Sequence, residues 1–174
     1  RDLATLPEFE TPRLSLRRLG PDDAPFIVAL LNEPSFLEHI GDRGVRNLDD
    51  AHAYLRNGPM SMYQRFGFGL WHVSRRADGG AIGMCGLLKR DMLPDADIGY
   101  ALFPAFWGQG YAYEAAAATL QHGARNYALR RVLAVVSQGN SGSIRVLEKL
   151  GMQFERLHTM DPGEPQVRLY ARDL

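Results

Sequence analysis

The fold of this chain is decided by the stretch Pro104-Ala105-Phe106-Trp107-Gly108-Gln109-Gly110-Tyr111-Ala112, which joins a strand pattern to a helix pattern. Residues 97–103 read as a strand, and residues 112–127 are rich in alanine, the best helix former. Glycines let a backbone approach a ligand closely, and the first N–H groups of a helix are unpaired and attract anions. The stretch therefore predicts a phosphate cradle, with a glycine turn that holds no ligand as the alternative.

Two common nucleotide-binding loops do not match this stretch. A Rossmann loop needs a third glycine three residues after the second, where this chain has Tyr113. A Walker loop needs Gly-Lys followed by Ser or Thr, and the stretch lacks that combination. The predicted cradle is therefore of another kind.

Upstream of the stretch, the pattern predicts a strand, helices and an antiparallel meander. The predicted elements are a strand at 14–19, a helix at 22–31, a short helical piece at 36–40, a helix capped by Asn47 that breaks or kinks at Gly58-Pro59, and strands at 68–75, 81–89 and 97–103. Downstream they are the helix at 112–127, a strand at 131–137, a helix from Asn140 to Gly151, and a hairpin of 153–159 with 166–171.

This order predicts a single α/β domain over residues 1–174 with a mixed, mostly antiparallel sheet flanked by helices. The two strands that flank the alanine-rich helix are predicted to be parallel, because a helical crossover connects them.

Composition narrows the class of protein. A formal net charge of zero argues against a general nucleic-acid binder. The single cysteine, Cys85, excludes an internal disulfide and fits a reducing cytoplasm. No apolar run approaches the ~20 residues of a membrane span, and the first five residues show no apolar signal region. We therefore expect a soluble cytoplasmic protein that binds neither membrane nor nucleic acid.

A second group of polar residues stands where the last helix begins. Asn140-Ser141-Gly142-Ser143 follows the strand at 131–137. The amide of Asn140 could cap the helix or reach an amide of a ligand, and Ser143 could satisfy an early N–H group. The pattern leaves both interpretations open.

Several motifs occur together in a characteristic order. They are Thr11-Pro12-Arg13-Leu14-Ser15-Leu16-Arg17, Asp97-Ile98-Gly99-Tyr100, Trp107-x-x-Gly110-x-Ala112, Asn140-x-x-Ser143 and Leu147-Glu148-Lys149-Leu150-Gly151-Met152. From residue 11 to its end, the chain resembles the GNAT superfamily of N-acetyltransferases, and within it the branch of ribosomal-protein N-terminal acetyltransferases. The family's usual loop begins with Gln or Arg, whereas this chain has Trp107, which that branch often carries.

The resemblance implies a sheet with a splayed strand pair, and acetyl-CoA as cosubstrate without a metal. The pyrophosphate would lie on the N–H groups of the loop, and the pantetheine arm would pair with the preceding strand. Asn140 and Ser143 would face the pantetheine or the slot. The implied cofactor-binding residues are Leu102, Phe103, Trp107, Gly108, Gln109, Gly110, Tyr111, Ala112, Asn140 and Ser143.

The resemblance also implies direct attack of a neutral primary amine on the thioester, with a base to take the amine proton. Our candidate for the base is Asp97, with His39, His72 and Glu114 as alternatives. Many family members use a Tyr seven residues after the Asn as the acid, and this chain has Leu147 there. The acid would then be Ser143, unless the thiolate leaves unassisted and takes a proton from water.

Three questions stay open from the sequence. The acceptor amine could be a protein N-terminus or a small molecule, and the chain could form a homodimer. A sensor domain of the same fold that binds acyl-CoA without turnover, or an unrelated phosphate-binding module, would share the loop. An acceptor pocket is expected from the first two helices and the last hairpin; Tyr63, Phe66, Phe68 and Trp71 could line it, although core positions are the commoner place for such aromatics.

Overall fold

The computed structural model describes residues 6–174. Residues 1–5, where the sequence shows no apolar signal region, lie outside the described part. The strands are β1 (Pro7–Glu10), β2 (Leu14–Arg18), β3 (Leu70–Arg75), β4 (Ala81–Leu88), β5 (Asp97–Leu102), β6 (Arg131–Ser137), β7 (Gln153–His158) and β8 (Val167–Asp173). The helices are α1 (Ala24–Leu31), α2 (Pro34–His39), α3 (Leu48–Asn57), α4 (Pro59–Phe66), α5 (Tyr111–Asn126) and α6 (Ser141–Lys149).

The strands form one sheet of eight in the order β1-β2-β3-β4-β5-β6-β8-β7. Neighbouring strands are antiparallel except β5 and β6, which are parallel because α5 carries the chain from one to the other. The mixed, mostly antiparallel sheet predicted from the element order is thereby confirmed. The closing hairpin is also confirmed, with β8 inserted between β6 and β7.

Apolar side chains cover both faces of the sheet. On one face the main core packs under α5 and α6 and includes Trp71, Leu87, Ala116 and Leu147. On the other face a second core packs under α1 to α4 around Ile27 and other buried aliphatic residues. Because side chains alternate along a strand, each residue of β5 belongs to one of these two faces.

The sequence pattern missed the first strand. β1 covers only the four residues Pro7–Glu10 and pairs antiparallel with β2. Its single alternation of polar and apolar residues is too short to stand out, and it becomes a strand because β2 offers it a free edge. Phe9 fixes the pairing, since its ring packs against Trp71 at 5.2 Å and against His122 at 4.5 Å.

The predicted break at Gly58-Pro59 is confirmed, since α3 ends at Asn57. Pro59 then begins a further helix, α4, which the sequence pattern missed. Proline suits the first position of a helix, where its missing N–H costs nothing. The Tyr63 hydroxyl on α4 accepts from the N–H of Leu19 and donates to the carbonyl of Leu70, so the helix is fastened to the sheet.

The two predicted asparagine caps are confirmed. The side chain of Asn47 accepts from the N–H of Asp50 at 2.8 Å, and that of Asn140 accepts from the N–H of Ser143 at 3.2 Å. Each bond satisfies an N–H group that the first helical turn leaves without a partner.

Within the described residues, no helix is both long and apolar enough to span a membrane.

Candidate active site

The parallel pair β5 and β6 separates soon after it forms. In the described sheet, the register between the two strands is confined to Asp97 opposite Leu133, and the N–H of Leu133 donates to the carbonyl of Ala96 at 2.9 Å. Beyond this point β6 pairs only with β8, through Ser137 opposite Val167. The sheet thus opens into a slot toward the ends of β5 and β6.

The backbone of β5 offers polar groups to this slot. Ala96 is bonded to β6, whereas the N–H of Phe103 donates to the carbonyl of Ile82 in β4. Backbone groups alternate in direction along a strand, so those of Ile98, Tyr100 and Leu102 point toward β6. Of the two strand residues expected to meet pantetheine, Leu102 faces the slot and Phe103 has its N–H already bonded.

The glycine loop stands at the mouth of the slot. Gly108 and Gly110 have φ values of +73° and +80°, a backbone conformation that favours glycine. Gly110 caps α5, and residues 107–110 are exposed. The N–H of Glu114 is the first to bond inside α5, to the carbonyl of Gly110. The N–H groups of the preceding turn are therefore free to receive an anion.

Trp107 joins the loop to the end of β5. Its N–H donates to the carbonyl of Pro104 at 3.1 Å. Its indole Nε1–H donates to the carbonyl of Leu102 at 3.0 Å, while 52% of the residue stays exposed. This hydrogen bond holds the loop against the end of β5.

Ser143 is joined to β5 by a tyrosine. The hydroxyl of Tyr100 lies 2.8 Å from Ser143 Oγ and 3.2 Å from the Ser143 carbonyl oxygen. Burial raises the pKa of Tyr100 to about 12, against a smaller lowering by the bond to Ser143. The phenol therefore remains protonated throughout the physiological range. Asn140 holds the same turn through its cap on the Ser143 N–H.

Asp97 lies at the closed end of the slot. Its side chain is 1% exposed and forms an ion pair with Arg90, with Oδ2 to Nη2 at 2.6 Å and Oδ1 to Nε at 3.2 Å. Burial raises the pKa of Asp97, although the charge and the hydrogen bonds of Arg90 act to lower it. Register places Asp97 on the same sheet face as Ala101, the face covered by α1 to α4.

His39 is brought to the open end of the slot by α2. Its Nδ1 lies 3.1 Å from the Oγ of Ser137, the last residue of β6. Its side chain is 26% exposed and can therefore meet solvent or a ligand. The separation of 98 positions between His39 and Ser137 explains why the sequence could indicate the histidine but not its partner.

The other two alternatives for the base are held by structural contacts. His72 is buried on β3, its ring packs 4.8 Å from that of Phe26, and burial lowers its pKa to about 4. Glu114 accepts hydrogen bonds from Thr11 Oγ1 at 2.5 Å and from Arg13 Nε at 2.7 Å. Burial acts to raise the Glu114 pKa, but these bonds outweigh it and the pKa is lowered.

The aromatic residues of β3 and its neighbours belong to the core. Tyr63, Phe68 and Trp71 are all buried in the cluster under α5, and Phe66 packs against it. On the opposite face, Phe26 of α1 packs 5.9 Å from Phe103 at the end of β5.

Among the described residues, no group of three or more His, Cys, Asp or Glu side chains is arranged to hold a metal ion.

Sequence reasoning passed over two residues of this site. Tyr100 and Arg13 both stand in motifs singled out from the sequence, but nothing in the pattern showed what their side chains touch. The signal for Tyr100 was its alternation with Ile98 and Leu102 along β5, which places all three on one face. The partner of Arg13 lies 101 residues away and carries no such signal.

Comparison with known proteins points in one direction. A family model described as an acetyltransferase (GNAT) domain matches residues 13–153. The uncharacterized N-acetyltransferase YoaA of Bacillus subtilis (strain 168) is 30% identical over 152 residues, which cover 86% of this chain and 84% of YoaA.

Solved structures share the fold over nearly the whole chain. An acetyltransferase from Agrobacterium tumefaciens superposes with a TM-score of 0.78 at 25% identity, covering 97% of this chain and 95% of its own. RimL, a ribosomal L7/L12 α-N-protein acetyltransferase solved with coenzyme A, superposes with a TM-score of 0.79 at 21% identity, covering 94% of this chain and 96% of its own.

Proposed function

This chain belongs to the GNAT acetyltransferase family, and from that premise we propose that it transfers an acetyl group from acetyl-CoA to a primary amine. The observation that carries the proposal is the slot between β5 and β6 with the glycine loop at its mouth. The slot offers backbone groups to an extended arm, and the loop offers N–H groups to a pyrophosphate. This arrangement supports a site that takes both halves of acetyl-CoA.

The residues present fit the two ends of this cosubstrate. Gly108 and Gly110 keep the cradle free of side chains, and Gln109, Tyr111 and Ala112 complete its backbone. The N–H of Leu102 points toward the slot, while its carbonyl accepts from the Trp107 indole, and Asn140 holds the turn at Ser143 through its side-chain oxygen. Bound acetyl-CoA supplies an acyl group that is already activated as a thioester.

For the acid we propose Ser143, oriented by Tyr100. A phenol is a stronger acid than an aliphatic hydroxyl, so Tyr100 is the better donor of the pair at 2.8 Å. When Tyr100 donates to Ser143 Oγ, the Ser143 proton is left to point at the leaving sulfur. Tyr100 then serves as a positioning residue on β5, while Leu147 occupies the place of the family's usual tyrosine and is buried in the core.

For the base we propose Asp97, acting through water. Its raised pKa favours proton uptake, while its bond to Arg90 and its burial require a water molecule as intermediary. His39 is the alternative, because it stands at the open end of the same face. Asp97 and His39 lie at opposite ends of the slot, so the effect of a variant at each residue on activity can be measured separately.

The acceptor amine would enter on the face covered by α1 and α2. Phe26 and Phe103 supply an apolar wall there, and His39 with Ser137 supplies a polar edge. A protein N-terminus and a small-molecule amine both meet these requirements. The name of RimL indicates a protein N-terminus for that enzyme, and this makes short peptides the first acceptors to try.

The experiment is a turnover assay after cofactor binding has been measured by calorimetry. Purified protein is given acetyl-CoA with a panel of N-terminal peptides, aminoglycosides, polyamines and amino acids, and released thiol is followed. Tight binding with acetylation of one class supports the proposal. Binding without turnover on any class would favour an acyl-CoA sensor, and failure to bind acetyl-CoA would refute the proposal altogether.

A further inference from the structure

The turn between β1 and β2 reaches the glycine loop through Arg13. The Arg13 Nη1 donates to the carbonyl oxygen of Gln109 at 3.0 Å, and the guanidinium lies 4.3 Å from the centre of the Tyr111 ring. A Cβ placed on Gly110 would stand 3.3 Å from Arg13 Nη2. Arg13 thus covers one side of the loop at the residues where α5 begins.

Arg13 is itself held by α5. Its Nε donates to Glu114 Oε1 at 2.7 Å, and its backbone N–H donates to Glu114 Oε2 at 3.0 Å. Thr11 Oγ1 donates to the same Oε2 at 2.5 Å. With both carboxylate oxygens engaged, the guanidinium has one preferred place, and a planar arginine fork loses little entropy in taking it.

The bond from Arg13 to the Gln109 carbonyl sets the orientation of the whole peptide group between Gln109 and Gly110. Gln109 C=O and Gly110 N–H belong to the same planar trans peptide, in which the two groups point in opposite directions. When Arg13 draws the carbonyl to its own side, the Gly110 N–H must point away from it. Without Arg13, a peptide between two residues that include a glycine at φ +80° would rotate more freely.

We propose that Arg13 is a positioning residue for the cosubstrate, which aims the Gly110 N–H into the pyrophosphate cradle by holding the Gln109 carbonyl. Arg13 makes no contact with the cosubstrate in this role. The proposal rests on the proposed function for the identity of the ligand and explains a motif, Thr11-Pro12-Arg13, that the mechanism otherwise leaves unused.

The chain contains a matched control in Arg18, at the other end of β2. Arg18 Nε is paired with Glu8 Oε1 at 2.7 Å, its Nη2 donates to the Gly67 carbonyl at 3.2 Å, and its guanidinium lies 5.0 Å from the Tyr63 ring. The side chains of Arg13 and Arg18 are 46% and 47% exposed. The two arginines differ chiefly in what they hold, so Arg18→Ala reproduces the loss of charge and of an ion pair away from the loop.

The test compares ligands that differ at the pyrophosphate. Calorimetric dissociation constants for CoA and dephospho-CoA, and kcat/KM for S-acetylpantetheine with one accepted amine, are measured for the wild type, Arg13→Ala, Arg13→Lys and Arg18→Ala. For both Arg13 variants we expect affinity for CoA and dephospho-CoA to fall roughly five- to tenfold, as for the loss of one hydrogen bond to a charged group. S-acetylpantetheine, which lacks the pyrophosphate, should react unchanged, and Arg18→Ala should match the wild type.

Other outcomes would overturn this role for Arg13. An equal loss of kcat/KM with S-acetylpantetheine would show that the variants disturb the whole site. Unchanged CoA affinity in folded Arg13 variants would show that the Gly110 N–H keeps its direction without Arg13. A loss that disappears with dephospho-CoA would mean that Arg13 touches the 3′-phosphate directly. Failure of the wild type to bind CoA would instead refute the proposed function, so the two failures are distinguishable.

Discussion

The hydroxyl of Tyr100 lies 2.8 Å from Ser143 Oγ and so ties β5 to the first turn of α6 across the opening between β5 and β6. The two residues are 43 positions apart in sequence. Their hydrogen bond lies on the face of the sheet covered by α5 and α6.

This contact predicts that Tyr100 and Ser143 act as a unit. Ser143→Ala should lower kcat about 10- to 100-fold, as expected when a hydrogen bond to a developing charge is lost. Tyr100→Phe should lower kcat about fivefold, and the double variant should be no worse than Ser143→Ala alone. The measurement is kcat and the KM for acetyl-CoA in all three, with melting temperatures alongside. Additive losses, or a change confined to KM, would argue against the pair.

Gly110→Val should weaken acetyl-CoA binding at least tenfold, or ~1.4 kcal/mol. Gly110 has φ +80°, and a branched side chain there strains the backbone, approaches Arg13 and crowds the cradle. Gly79→Val is the control, because Gly79 has a similar φ of +72° in the turn after β3 and an open space for a Cβ. Calorimetry on both variants decides the matter. Unchanged affinity in a folded Gly110→Val protein would remove the main support for the cradle.

Asp97→Asn should lower turnover at pH 7 by ~10²–10⁴-fold if proton transfer to Asp97 limits the rate. The loss should shrink at high pH, because more of the acceptor amine is then already neutral. The measurement is the pH profile of kcat/KM with one accepted amine. Asp95→Asn is a suitable control, since Asp95 is a half-exposed acid two residues before Asp97, 3.7 Å from Arg131.

A purely structural Asp97 would give a different result. Asn cannot keep the ion pair with Arg90, and the unpaired guanidinium would lower the free energy of unfolding by ~3 kcal/mol. Stability lost without a change in the pH profile would therefore end the case for Asp97. His39→Gln should then lower kcat/KM where Asp97→Asn does not.

The buried imidazole of His72 predicts a loss of stability in acid. Burial, helped by Arg17 and opposed by Asp23, lowers its pKa to about 4, whereas an unfolded histidine titrates near 6.5. Between these two pH values the unfolded chain binds more protons than the folded one, so the free energy of unfolding rises with pH. The contribution of His72 to that free energy is complete above pH 6.5. The shift corresponds to roughly 3 kcal/mol lost as the pH falls from 6.5 to 4.

His72→Phe isolates this contribution. Phenylalanine keeps an aromatic ring beside Phe26 and removes the titrating group, so its stability should decline less over the same interval. Urea unfolding of both proteins at pH 7, 5.5 and 4 gives the comparison. Parallel curves for the wild type and the variant would show that His72 does not titrate in that range.

Local sequence determined most of the elements and the position of the loop. Several features act within a few residues and could therefore be predicted without the fold. They are the alanine-rich run of α5, the caps Asn47 and Asn140, and the glycines Gly108 and Gly110. The parallel pairing of β5 and β6 also followed from element order alone. The sequence pattern missed β1, which forms because β2 offers it a free edge, and α4, although its Pro59 suits the first position of a helix.

The tertiary structure alone decided which side chains meet. Tyr100 with Ser143, His39 with Ser137 and Arg13 with Glu114 are pairs separated by 43 to 101 residues. Such contacts depend on strand register and on the placing of helices over a sheet, which are set by the packing of both cores as a whole. A side chain's type and its motif were readable from the sequence, but its partner was not, because packing, and no local preference, brings the two together.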